Sequence, residues 1–345
     1  MKKKLTISII VGFASVILGL VLAGIGFFSG GLEKLENISQ PQEIHKSYAN
    51  LSSLTFEYLP QSVLIQESPD NRYHVSYYNS PNNLHSSIRL NKDKDNLSLS
   101  IRSSQIRIKG FLQVFGEVLA ERNLNSQIIT IQIPKNKSLK KLKGFNGNSI
   151  TIENSKIETI DFDGNINLMN SEIAGGNING YSLNIQQSKL KNLTISSPSS
   201  PNYISNSTLE NVTISDYHQL DAQQVTLLGE NTFKPISESL TLTNLDLTDK
   251  NLAELSLNIS NKIDKAAFAK EFGYTYEGEE NPDYEDSRDF QNQVENMGIF
   301  IRDKYANLPI TATDTEVKLT TQVANSKNKL TINTTNATIN LRTPQ

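Results

Sequence analysis

The sequence predicts an all-β protein: a single-stranded, parallel β-solenoid-like stack with a strand meander on its N-terminal side, preceded by one transmembrane helix. Three observations lead there. A short pattern recurs four times between residues 150 and 215. The apolar content of the 345-residue chain is mainly Ile, Leu and Val set among many Asn, Ser and Thr, with no Trp. A charge-free run near the N-terminus is long enough to cross a bilayer. With 37% hydrophobic and 7% aromatic residues, the composition suits strands joined by polar bends better than packed helices.

The charge-free run is LTISIIVGFASVILGLVLAGIGFF, residues 5–28. A helix of that length, rising about 1.5 Å per residue, reaches roughly 36 Å against a hydrocarbon core of about 30 Å. Lys2, Lys3 and Lys4 precede it, and Glu33, Lys34 and Glu36 follow. The positive-inside bias then sets the N-terminus in the cytoplasm and residues 32–345 outside. A cleaved signal peptide is the competing reading, with small residues at Gly24, Gly26, Ser29 and Gly30, but the run exceeds the roughly 7–15 apolar residues of a signal peptide. Residues 1–31 are therefore read as a basic tail and transmembrane helix, 32–50 as a linker containing Pro41, and 51–345 as an extracytoplasmic β-strand-repeat domain.

Strand-like text follows the linker. Leu54, Phe56 and Tyr58 alternate, then Val63 and Ile65, then Tyr73, Val75 and Tyr77, with Pro60 and the polar clusters 68–71 and 79–83 as breaks. Ile88 and Leu90, then Leu97, Leu99 and Ile101, then Ile106 and Ile108 continue the meander. From Gly110 to Arg122, Phe111, Val114, Phe115, Val118 and Leu119 stand at helical spacing, which predicts a short amphipathic helix or a hydrophobic hairpin arm that packs on the core. Ile129, Ile131 and Ile133 then run into Pro134.

Each repeat starts at a serine and places apolar residues two, five and seven positions later: Ser155 with Ile157, Ile160 and Phe162; Ser188 with Leu190, Leu193 and Ile195; Ser207 with Leu209, Val212 and Ile214. The copy at Ser171 keeps Ile173 and Ile178 and has Gly176 in the middle. Steps of 16, 17 and 19 residues separate the serines, room for two or three short strands at about 3.3 Å per residue and too little for a strand, helix and strand. One such unit cannot bury its apolar edge alone, and stacking on its neighbours does so. The serines are read as a structural ladder at a bend, their hydroxyls bonding nearby backbone.

Alternation resumes at Leu240, Leu242, Leu245 and Leu247 and at Leu255, Leu257 and Ile259. Residues 261–305 form a helical and acidic insert: a helix around Ala266, Ala267, Phe268 and Phe272, an acidic loop from Glu277 to Asp289, and a second short helix from Phe290 to Tyr305. Val317, Leu319, Val323, Leu330, Ile332, Ile339 and Leu341 return to strands, placed to close the open end of the stack.

The segments LTFEYLPQSVLIQES, YHVSYY and DNLSLSIRSS, followed by ITIQIPKNKSLKKLKGFNGNSITIENSKIETIDFDGNINLMNSEI, resemble a β-strand-repeat family of unknown function whose members are taken as candidate adhesins. It includes LiaG-like membrane-anchored envelope proteins of Gram-positive bacteria. The likeness covers about residues 50–215 and the last strands. It implies an envelope protein with a solenoid-like stack behind one membrane helix, an association with envelope-stress operons, and no catalytic motif. This chain departs from the family pattern in its few bend glycines, Gly147, Gly164, Gly175 and Gly176, and in the insert.

Cysteine is absent, which removes disulfides and thiolate metal sites. Setting aside the three leading lysines, the chain has a net charge near −6, a poor match for nucleic acid. Asp161 and Asp163 fall on one side of a strand with Phe162 on the other, the starting point for a carboxylate enzyme or a calcium site; a polar bend accounts for the same residues. The acidic loop holds Glu277, Glu279, Glu280, Asp283, Glu285, Asp286 and Asp289 without the residue order of an EF-hand. His45, His74, His85 and His218 lack metal-site spacing, although His74 and His85 are placed to face each other on paired strands. No serine lies in GxSxG, and the Asn-x-Ser/Thr triplets at Asn192, Asn206 and Asn211 follow from composition.

No catalytic, cofactor-binding or metal-binding residue is assigned. The expected function is a non-catalytic, membrane-anchored extracytoplasmic module of the cell envelope, an adhesin-like interaction module or an envelope-stress accessory. A carbohydrate-active solenoid enzyme or polysaccharide-binding protein is the alternative. The expected partners are the membrane, through the single-pass anchor, and a cell-wall polymer or another envelope protein, with no nucleic acid and no cofactor.

Overall fold

The computed structural model of the protein describes residues 2–31, 41–59, 61–79, 86–103, 127–198, 201–236, 240–272 and 284–344. The predicted helix or hairpin arm at Gly110–Arg122, Pro60 and His85 lie outside the described residues. The chain divides into two compact units, one of residues 1–44, 77–88 and 101–127 and one of residues 45–76, 89–100 and 128–345.

The first unit contains α1 (Lys2–Gly26). Ser8–Gly30 are long and apolar enough to cross a membrane. Ile9, Val11, Phe13, Leu18 and Leu20 are all exposed, and a helix apolar on every face belongs against hydrocarbon. β1 (Gln42–Tyr48) begins here, inside the stretch read as linker. β4 (Tyr73–Asn79) ends and β5 (Ser86–Asp93) starts in the same unit. Asn79 joins them: its Oδ1 accepts the Ile88 N–H at 2.7 Å and its Nδ2 donates to the Ile88 carbonyl at 3.3 Å.

The second unit is the predicted stack. Its regular part starts with β8 (Leu139–Glu153) and β9 (Lys156–Met169), long strands that each bend through most of one coil. Later coils break into three short strands. β10 (Glu172–Ile173), β11 (Gly176–Asn179) and β12 (Leu183–Gln186) lie parallel on successive parts of β9. β13 (Lys189–Lys191), β14 (Leu193–Ser196) and β15 (Asn202–Ser205) lie on those. β16 (Thr208–Glu210), β17 (Thr213–Tyr217) and β18 (Gln219–Leu228) continue, and the end of β18 starts the coil completed by β19 (Glu230–Pro235) and β20 (Leu242–Leu247).

Parallel pairing puts the repeats in register. Ile157, Ile173, Leu190, Leu209 and Leu227 form one inward column. Phe162, Ile178, Ile195, Ile214 and Phe233 form a second. Leu168, Ile185, Ile204, Ala222 and Leu245 form a third. All are buried, and each large side chain so placed contributes about 1.5–3 kcal/mol over exposure. Gly176, the exception in the pattern, has φ +123°, and a Cβ there would overlap the Ile160 carbonyl oxygen. The backbone of the preceding coil occupies the space that a side chain needs.

At both ends the stacking order departs from chain order. β2 (Ser53–Glu57) lies between β8 and β6 (Asn96–Ser103), parallel to both. β3 (Ser62–Ser68) lies parallel between β8 and β7 (Ile128–Pro134), and β4 runs antiparallel on β7. At the other end the chain passes from β20 through α2 (Asp249–Glu254) to β21 (Leu255–Lys262), α3 (Lys265–Phe272), α4 (Tyr284–Glu295) and β22 (Gly298–Ile301). β23 (Ile310–Ala312) and β24 (Glu316–Thr320) form an antiparallel pair, with β24 antiparallel to the outer edge of β21. β25 (Asn328–Thr335) then inserts between β19 and β21, and β26 (Thr338–Leu341) between β20 and β22.

The insert and the last strands correct two expectations. The helix expected over Phe290–Tyr305 starts at Tyr284, inside the stretch read as an acidic loop, and ends at Glu295. Residues 298–301 are a strand instead, because β26 offers them an edge and Met297 and Ile299 are buried there; tertiary pairing overrides a weak helical pattern. Of the strands expected to close the end, only β24 with Leu319 lies at the outer side, while β25 and β26 are interior to the stack.

Candidate functional site

The corner entered after the third strand of each coil carries the most regular polar chemistry. Asn154, Asn170, Gln187 and Asn206 turn the chain there with φ of 48–49°, a left-handed conformation that Asn adopts more readily than most residues. A serine follows each. The Oγ of Ser171, Ser188 and Ser207 accepts the N–H of the serine one coil earlier, at 3.3, 3.1 and 3.1 Å. The same hydroxyls donate to the carbonyls of Met169, Gln186 and Ser205 at 2.9, 2.7 and 2.7 Å. The ladder read from the sequence is present, and it satisfies backbone groups that are otherwise buried without partners. The Asn or Gln before each serine is the sequence signal for this bend, beside the serine itself.

A cleft of about 530 Å³ runs along this corner. Lys135, Lys137, Lys156 and Lys189 line it with Glu67 and Glu172. Lys135 pairs with Glu67 at 3.5 Å and Lys156 with Glu172 at 3.3 Å. Lys137 Nζ stands 5.5 Å from the Tyr73 ring centroid and donates to the Ala49 carbonyl at 3.4 Å, and Lys189 has no carboxylate partner among the described residues. Asn170 Nδ2 donates to Asn154 Oδ1 at 2.6 Å across the floor. Two lysines in excess and a row of amides make a donor-rich surface for an oxyanion, while the exposed ion pairs each contribute little.

The comparisons with known proteins settle the family. The description Toastrack DUF4097 matches residues 52–345, well beyond the segments that carried the likeness in the sequence. This chain belongs to the Toastrack family. Three solved structures are similar to the Toastrack chain. A candidate cell adhesion protein from Clostridium sporogenes is 10% identical over 88% of this chain and 97% of its own, with a TM-score of 0.25. A candidate adhesin from Bacteroides fragilis is 14% identical over 60% and 89%, with a TM-score of 0.35. A candidate lipid-binding protein from Parabacteroides distasonis is 14% identical over 60% and 78%, with a TM-score of 0.22. No curated protein matches the chain.

In the Toastrack stack Asp161 and Asp163 face outward on the second strand of their coil, next to Asn177 and Asn179 of the following coil. Asp163 Oδ1 accepts Asn179 Nδ2 at 2.9 Å. Among the described residues no three His, Asp, Glu or Cys side chains converge to hold a metal. His45 Nδ1 lies 2.7 Å from Ser76 Oγ and His74 Nε2 2.9 Å from Asp70 Oδ1. Of the acidic loop, residues 277–283 lie outside the described residues and 284–289 open α4.

One polar centre had no sequence signal. Asp246 is 2% exposed and pairs with Lys304 Nζ at 2.9 Å. Tyr305 Oη accepts the Leu247 N–H at 2.6 Å and donates to Asp246 Oδ1 at 3.1 Å, and Gln224 Nε2 donates to the other oxygen. Burial pushes the Tyr305 hydroxyl well above its ordinary range, and the Asp246 charge adds to that. Burial alone would lower the Lys304 ammonium, but its hydrogen bonds to Asp246 and Asp249 outweigh this and hold it above the usual lysine value. The centre pins the turn after β22 to β20; removing one partner of such a buried pair costs about 3–5 kcal/mol.

Proposed function

We propose that this Toastrack chain is a single-pass, non-catalytic interaction module of the bacterial cell envelope. Residues 1–31 form the anchor with the N-terminus in the cytoplasm, the stretch read as linker carries β1 at Gln42–Tyr48, and residues 51–345 form an extracytoplasmic domain that contacts a cell-wall polymer or another envelope protein. The observation that carries this reading is α1: its apolar side chains are exposed, so it needs a bilayer as its solvent. Lys2, Lys3 and Lys4 before it supply the positive-inside bias. The ladder corner and its cleft supply a long, rigid, polar surface of the kind that a binding module presents. Family membership supports the envelope setting.

The test is protease added to intact protoplasts, followed by detection of both ends of the chain. Digestion of the domain with a protected N-terminal fragment is expected. Full protection would reverse the orientation, and a free domain in the medium would replace the anchor with a cleaved signal peptide.

A further inference from the structure

Tyr58 should point into the stack by the alternation of Leu54, Phe56 and Tyr58, yet it is 59% exposed. Its φ of 37° turns it out, an uncommon conformation for a bulky residue. The ring lies against Phe145, itself 39% exposed, with centroids 5.8 Å apart and planes 18° from parallel. Gly147 makes room for it, since a Cβ there would lie 3.0 Å from Tyr58 Cε2. The outward column through this point reads Glu57, Phe145, Asp163, Asn179 in adjacent coils, each about 4.8 Å from the next. Glu57 accepts the Ser98 hydroxyl at 3.3 Å and Asp163 the Asn179 amide, so each retains acceptor capacity. Neither carboxylate, nor Asp161 beside them, has an ion-pair partner among the described residues; Lys143, in register with Asp161, lies beyond ion-pair distance.

We propose that Tyr58 and Phe145 form a stacking platform for a pyranose ring of an uncharged glycan, with Glu57, Asp163 and Asn179 accepting its hydroxyl protons. A sugar ring has apolar C–H faces and hydroxyl edges, and the platform offers an aromatic face beside acceptors. Unpaired carboxylates at the rim repel phosphate- or sulfate-bearing polymers, which decides the class of ligand on charge. The ligand's supply rests on the outward placement of the domain, whereas the platform's chemistry does not.

The test is calorimetric titration of the full-length protein in detergent micelles with chitohexaose, with cellohexaose and with polyphosphate. Binding of at least one hexasaccharide is expected, and the two arms separate an N-acetylhexosamine strand from a hexose polymer. Tyr58→Ala and Phe145→Ala should each weaken it by about tenfold, and Tyr58→Phe should keep it within about threefold, because stacking and not the hydroxyl carries the contact. Unchanged melting of the exposed-site variants excludes unfolding as the cause. The proposal is overturned if neither hexasaccharide binds, if both alanine variants bind as wild type, or if polyphosphate displaces the sugar. None of these outcomes alters the protease result, so the two readings fail separately.

Discussion

One amide of Asn251 holds the backbone of Leu227 at both of its polar groups. Oδ1 accepts the Leu227 N–H at 2.9 Å and Nδ2 donates to the Leu227 carbonyl at 2.8 Å. Leu227 belongs to the column of Ile157, Ile173, Leu190 and Leu209, and Asn251 from α2 takes the place where the next coil would pair. The buried side chain stands in for a strand. Asn261 does the same for Ala337, donating to its carbonyl at 2.6 Å and accepting its N–H at 3.2 Å.

Replacing Asn251 with Leu keeps the branched shape and strands two buried backbone groups. The expected cost is roughly 2–3 kcal/mol in urea unfolding of the domain. Asn251→Asp keeps the acceptor and turns the donor into a second acceptor against the Leu227 carbonyl, so it should gain nothing over Leu. Wild-type stability in either variant would show that water satisfies Leu227 equally well.

Leu193→Asp and Val212→Asp each bury a charge with no partner in a column that is closed to solvent, and each should leave no cooperative thermal transition. Ser188→Ala removes the acceptor for the buried Ser171 N–H and the donor to the Gln186 carbonyl. A loss of about 2 kcal/mol is expected, with the transition still cooperative.

Gly175 and Gly176 are neighbours with opposite prospects. A Cβ at 175 would meet nothing nearer than 3.6 Å, whereas at 176 it overlaps the Ile160 carbonyl and the φ of +123° excludes L side chains. Gly175→Ala should melt within about 0.5 kcal/mol of wild type and Gly176→Ala should cost about 3 kcal/mol or more. Equal tolerance would mean that the β9 and β11 backbones are not so closely apposed.

Tyr217 and Tyr305 are buried, and burial raises both hydroxyls above the ordinary 10.0. The unfolded chain therefore releases these protons first as pH rises, so the folded state binds more protons and stability falls with increasing pH. This contribution is fully present below pH 10.0 and is lost above it. An ultraviolet titration should show exposed tyrosines ionising reversibly first and these two only as the β domain unfolds. Ionisation of all tyrosines in one early reversible step would contradict it.

The parts of this fold that were legible are those written in local alternation. Ile157, Ile160 and Phe162, like Leu190, Leu193 and Ile195, declare their inward side through spacing alone, and a serine at each corner marks the period. What could not be read depends on distant partners. Gly298–Ile301 is strand only because β26 offers an edge, Asp246 is tolerable only because Lys304 and Tyr305 arrive, and Tyr58 meets Phe145 only once β2 lies on β8. In the cleft Lys156 and Lys189 each follow a repeat serine and share one column through Glu172, but no periodicity joins Lys135 and Lys137 to them.

The insertion of β25 and β26 between older coils has a consequence for how the chain matures. A solenoid whose coils follow chain order can settle turn by turn as it leaves a ribosome or an export channel. Here β19 and β21 each present an unpaired edge until residues 328–341 arrive to join them, and such edges are templates for pairing with other chains. The late segment acts as a keystone. A chain stalled or clipped before residues 328–341 would keep an open slot between β19 and β21, so the stack closes only when its last strands are in place.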